Sequence, residues 1–183
     1  MTSRRVLLTI FALVSLGAMP SLKVAAQNVP KPDPGPTAGS QTSAPILLQV
    51  AGEVARPLSL SAEEHAKLPH QTVQARGHDG VESQFQGVPL VEILAKAGVP
   101  TGKDLRGPAM AHYVVVEAAD GYRAVFALAE LDPAFTDRVV LVADHRDGKA
   151  LSARDGPFQI IVPGEKKHAR WVRQVIRLKV GRG

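Results

Sequence analysis

The chain predicts an α+β domain, a β-rich, mixed and largely antiparallel sheet system with a few short helices. Three observations predict it. Short apolar runs with strand-like patterning recur from Pro45 onward, Asp-Gly pairs punctuate them, and helical periodicity is confined to two brief stretches. Strands that alternated regularly with helices would instead signal βαβ units and a parallel sheet. Hydrophobic residues make up 45% of the 183 positions and aromatics only 4%, so the core is expected to be aliphatic.

Two segments precede this domain. Residues 1–26 have the three-part build of a secretory signal peptide: Arg4 and Arg5, an apolar run from Val6 to Ala18, and small residues at Val24-Ala25-Ala26 after Pro20. The apolar run falls short of the roughly 20 residues that cross a bilayer, so no stable membrane span is expected after cleavage. The expected location is periplasmic or secreted. Ser3-Arg4-Arg5-Val6-Leu7-Leu8 also resembles a twin-arginine signal, although Thr9 stands where lysine is common; both export routes stay open. Residues 27–44, rich in Pro, Gly and Ser, cannot bury apolar area and read as a disordered linker.

The domain, 45–183, opens with strand-like Ile46 to Val50, stopped by Ala51-Gly52. Ser61 and Glu64 have the spacing of a capping box for a short helix that ends at Leu68-Pro69. Gln71–Arg76 and Val81–Gln86 read as a hairpin around Asp79-Gly80. Pro89 to Ala97 is a second helix with Leu90, Ile93, Leu94 and Ala97 on one face, stopped by Gly98. Strand-like His112–Ala118 and Tyr122–Phe126 flank Asp120-Gly121. Arg138–Ala143 follows, Asp147-Gly148 turns the chain, and Phe158–Val162 and Val172–Val180 close the set. In the last strand Ile176, Leu178 and Val180 alternate with Arg177 and Lys179.

Charge and motifs exclude several functions. Three of the 22 basic residues, Arg4, Arg5 and Lys23, precede the expected cleavage point and none of the 17 acidic ones does. The remainder therefore carries a net charge of about +2. That field is weak, and no basic run interleaved with aromatics supports a nucleic-acid partner. No GxGxxG, P-loop, HExxH or GxSxG motif occurs. The absence of cysteine removes disulfides, thiolate metal sites and thiol nucleophiles.

The order of motifs carries more. Val50-Ala51-Gly52-Glu53-Val54, Pro57-Leu58-Ser59-Leu60, Leu68-Pro69, Phe85-Gln86-Gly87-Val88-Pro89-Leu90 and Ala97-Gly98 are followed by Asp120-Gly121-Tyr122 and Leu128-Ala129-Glu130-Leu131. Gly156-Pro157-Phe158-Gln159-Ile160-Ile161-Val162-Pro163-Gly164 and Lys167-His168-Ala169-Arg170-Trp171 complete the series. This succession resembles the molybdopterin-binding domain of the sulfite oxidase family, across nearly all of 45–183. The resemblance implies a sulfite-oxidase-like molybdopterin-binding fold, an anionic pterin cofactor carrying molybdenum and oxidoreductase-type chemistry; a periplasmic redox partner and the alternative of a cofactor-free periplasmic protein-interaction domain stay open beside it.

Two departures bear on that chemistry. The resemblance calls for a molybdenum-binding cysteine near Gln74–His78, at Ala75, and the chain has none. Gln159 stands where the family usually has arginine, which removes a fixed cation. By resemblance the remaining cofactor-binding candidates are Lys167, His168 and Arg170, which would lie against the pterin phosphate, with Tyr122 at the pocket rim and His78 as a substitute metal ligand. Read from the residues alone, 164–170 is equally a solvated basic turn, Tyr122 an ordinary strand residue after a turn, and Trp171 core. His65, His70 and His112 read as isolated packed or surface histidines. His78-Asp79 and Asp144-His145-Arg146-Asp147 read as turn residues, and no metal site is expected.

Overall fold

The computed structural model describes residues 45–183; the expected signal peptide and linker lie outside the described residues. Among the described residues, ten strands form two sheets. In the first, the order is β2 (Leu58–Ser61), β1 (Ile46–Gly52), β10 (Val175–Arg182), β5 (His112–Ala118) and β6 (Arg123–Ala127). In the second, β3 (Gln71–Arg76), β4 (Glu82–Pro89), β7 (Leu141–Arg146) and β8 (Lys149–Ala150) lie in order, and β9 (Gln159–Ile161) also pairs with β7. Among the described residues only β1 and β10 pair in parallel; the other pairs are antiparallel. The fold class is therefore the expected one.

Alternation explains the first sheet. Leu48 and Val50 of β1, Val114 and Val116 of β5, and Leu178 and Val180 of β10 are buried, while Gln49, Arg177 and Lys179 between them are exposed. In the second sheet Leu141, Val142 and Ala143 are buried in succession, as are all three residues of β9, so these strands are covered on both faces. Both sheets and the buried face of α2 (Leu90–Lys96) feed one continuous apolar core. Gly87 is required where β4 meets β7: a Cβ there would stand 2.2 Å from the Val142 carbonyl oxygen.

The first helix, α1 (Ala62–Ala66), starts on the expected capping box. Glu64 N–H donates to Ser61 Oγ at 3.2 Å and Ser61 N–H to Glu64 Oε2 at 2.8 Å. Asp147 (φ 50°) and Gly148 (φ 74°) both adopt the left-handed backbone that a tight β7–β8 hairpin demands.

Three expectations shift. Leu58–Ser61, not assigned from sequence, is a strand because Leu60 pairs with Leu48 and buries against the core. The strand expected at Arg138–Ala143 begins at Leu141 and runs on to Arg146: β4 gives way to α2 after Pro89, and a single Leu90 N–H bond to the Val140 carbonyl at 2.8 Å closes the ladder there. Ile176 is 41% exposed rather than inward, because the pairing register of β10 with β5 slips between Val175 and Arg177. No described helix is long and apolar enough to cross a membrane.

Candidate functional site

Three loops meet beside the second sheet. The first is the β3–β4 turn, closed by a Gly77 N–H bond to the Val81 carbonyl at 2.8 Å and by Asp79, whose Oδ1 accepts from Val81 N–H at 3.0 Å. Arg146, from the end of β7, fixes this turn by donating to Asp79 Oδ2 at 2.7 Å and to Ser83 Oγ. The second loop runs from Leu151 to Phe158 and carries Arg154 and Asp155. The third runs from Pro163 to Gln174 and contains a 3-10 turn at His168–Arg170.

Trp171 anchors the third loop. Its indole N–H donates to the Val162 carbonyl at 3.0 Å, it is only 5% exposed, and it stands edge-on to Phe85 at 5.6 Å. The His168 ring lies 4.5 Å from Trp171 and 4.5 Å from His78, and its Nε2 contacts the Arg76 carbonyl at 2.8 Å. Tyr122 reaches across from the β5–β6 turn and donates its hydroxyl to the Ala169 carbonyl at 2.7 Å. The loop is thus held at both ends.

Two adjoining clefts open between these loops, of about 330 and 450 Å³, and His78, Arg154, Trp171 and Arg173 wall both. Arg146 and Gln159 complete the first, Tyr122 and His168 the second. Such volumes suit a small organic ligand. The lining is rich in cations. Arg146 pairs with Asp79 and Arg173 with Asp155 at 3.1 Å, but Arg154 has no ion-pair partner among the described residues. Burial, with the nearby Arg173 and His168 charges, holds the His78 imidazole below its ordinary pKa, so the ring is neutral at pH 7.

The structure therefore gathers three of the residues singled out from sequence, His78, His168 and Tyr122. Lys167 is exposed beside His168 and off the walls of both clefts. Arg170 is also off them. Its guanidinium binds both Glu130 oxygens at 3.0 and 2.9 Å and Glu165 through Nε at 2.8 Å and through Nη2, and it covers the Phe126 ring at 4.5 Å. Burial opposes the Arg170 charge, but these two carboxylates outweigh it and raise its pKa further. Gln159 is buried on the wall of the first cleft, which Arg146, Arg154 and Arg173 also line. Trp171 is both core and cleft wall. Arg146, Arg154 and Arg173 were not legible as a group, because they come from separate loops with no common spacing.

The fold is thus a β-rich domain with a cleft walled by arginines, aspartates and aromatic rings. The chain belongs to the oxidoreductase molybdopterin binding domain family, whose model matches residues 40–182. Among solved structures it is similar to the sulfane dehydrogenase SoxCD from Paracoccus pantotrophus. The TM-score is 0.58 and the identity 23%, over 73% of this chain and 37% of that one; at that identity the likeness concerns the fold. The chain thus spans little more than a third of that protein chain. No curated protein sequence matches it.

The residues present fit part of the family's cofactor. The arginines and aromatic edges that wall the clefts suit an anionic ligand. The metal is another matter. Ala75, where the resemblance would put the thiolate, is a 6% exposed member of the apolar core and lines neither cleft, and no cysteine exists anywhere in the chain. Molybdenum held by a protein thiolate does not fit this chain.

Proposed function

We propose that this is an exported domain that holds a pterin-type or related anionic ligand in the double cleft, without thiolate-bound molybdenum and without the redox turnover that depends on it. The observation that carries the reading is the wall shared by both clefts: Arg154 and Arg173 supply charge, Trp171 a rigid apolar wall, and neutral His78 a ring that can gain a proton when an anion arrives. His168 and Tyr122 close the second cleft, and Lys167 adds a cation at its edge. Arg170 acts one step back, tying the loop to Glu130 so that these groups stay in place. Export, to the periplasm or beyond, rests on the signal-like residues 1–26.

The alternative reading is an oxidoreductase that works with a periplasmic redox partner. It requires a molybdenum ligand other than sulfur, and His78 is the imidazole the cleft offers.

Trp171 is the chain's single tryptophan, so its fluorescence reports on this site alone. Titration with a phosphorylated pterin should quench it saturably. Arg173→Met should weaken binding about 10- to 100-fold, as expected for loss of a charge-assisted hydrogen bond of roughly 1.5–3 kcal/mol. No saturable quenching, or an unchanged affinity in Arg173→Met, would overturn the assignment.

A further inference from the structure

His65, His70 and Asp144, from α1, the start of the second sheet and β7, converge on one point outside the double cleft. One nitrogen from each imidazole and one carboxylate oxygen lie within 4.8 Å of one another. His65 Nδ1 is 3.3 Å and His70 Nε2 3.0 Å from Asp144 Oδ2. Donors around a tetrahedral zinc, with bonds of about 2.0–2.2 Å, stand roughly 3.3 Å apart. Two of the three edges match that spacing, and the two rings meet edge-on with centroids 5.4 Å apart.

The hydrogen bonds are those of a metal-ligating set. His70 Nδ1 lies 2.8 Å from the Leu68 carbonyl, which can only accept, so Nδ1 carries a proton and the neutral ring points a lone pair from Nε2 at Asp144. Two lone-pair atoms at 3.0 Å need a cation between them, either a proton or a metal. A backbone carbonyl that fixes the far nitrogen of an imidazole is the usual support for a histidine ligand. Asp144 is supported likewise, its other oxygen accepting from His145 Nδ1 at 2.8 Å.

His65 supplies the independent observation. It is fully buried; its Nε2 has no hydrogen-bond partner, and its Nδ1, 3.3 Å from Asp144 Oδ2, meets that oxygen without hydrogen-bond geometry. A neutral imidazole places a proton on one nitrogen and a lone pair on the other, and burying both unpaired is costly. A metal on Nδ1 takes up that lone pair. The side chains of Asp144 and His70, 15% and 18% exposed, leave a path for an ion. We propose that His65 Nδ1, His70 Nε2 and an Asp144 oxygen bind a borderline divalent metal of the zinc type, with water in a fourth position. Two nitrogens and one oxygen are donors that such an ion prefers over magnesium or calcium. The proposal stands apart from the pterin reading, since none of the three residues lines either cleft.

The test uses the full chain, stripped with a chelator and titrated with Zn²⁺ alone by calorimetry, and with Co²⁺ followed by its visible absorption. The expected result is one zinc per chain and a tetrahedral cobalt spectrum, with affinity lowered at least tenfold in His70→Ala and in Asp144→Ala. Both positions are partly exposed, so folding, checked by circular dichroism, should survive where a change at buried His65 would not. A His78→Ala/His168→Ala double variant, which removes the other close histidine pair, should retain the bound equivalent. No stoichiometric zinc in the native sequence overturns the proposal. So does zinc that survives both single changes but is lost with His78 and His168.

Discussion

Replacing Arg170 by methionine should destabilise the domain by about 2–3 kcal/mol, and most of that loss should be recoverable at Glu165. Arg170 sits between Glu130 and Glu165 with side-chain exposures of 29%, 36% and 14% respectively. Breaking a fully buried pair costs about 3–5 kcal/mol through the stranded charge, and an exposed pair is worth about 0–1 kcal/mol. This intermediate case falls near 2 kcal/mol. Loss of the guanidinium from the face of Phe126 adds about 0.5–1 kcal/mol. Methionine retains part of the apolar stem over the ring. Because Glu165 is the more buried carboxylate, and its Oε2 has no partner, Arg170→Met/Glu165→Gln should regain more than half of the loss. Urea unfolding gives both numbers, and the single variant should melt roughly 5–10 °C lower. A loss under about 0.5 kcal/mol, or no recovery in the double variant, would refute the bracing role. A direct phosphate contact would show instead as lost ligand affinity that Glu165→Gln does not restore.

Two further outcomes follow from the cleft. The His78 pKa is lowered, so the unfolded chain binds its proton more readily; the associated stability is present above the unfolded value near 6.5 and lost as pH falls through the folded one. An NMR titration should place the His78 midpoint below 6.5, Arg173→Met should raise it, and saturating phosphorylated pterin should raise it too, making binding tighter at lower pH. Ala75→Cys should fold and yet react with thiol reagents only slowly, as a buried thiol does. Fast labelling would mean that this position opens onto the cleft.

What sequence disclosed was mostly local. The Ser61–Glu64 box, the Asp147-Gly148 turn and the apolar face of α2 depend on residues within one turn of each other, and each formed as expected. The register slip that exposes Ile176 depends on β5, far along the chain, and no local pattern announces it. The site divides in the same way. His78, His168 and Tyr122 were reached through the order of motifs, whereas Arg146, Arg154 and Arg173 acquire a common wall only when three loops fold together. His65 and His70 looked isolated because the carboxylate that joins them lies 74 residues beyond His70, on β7 of the same sheet that His70 leads into.

In the proposed reading this family member holds an anion in its cleft and has no cysteine to tether molybdenum. Isolating the full chain from the periplasm of its expression host and measuring pterin and molybdenum per chain tests it most directly. Bound pterin, or another anion, at near one per chain with substoichiometric molybdenum is the predicted result. One molybdenum per chain, or a cleft that retains no anionic ligand at all, would contradict it.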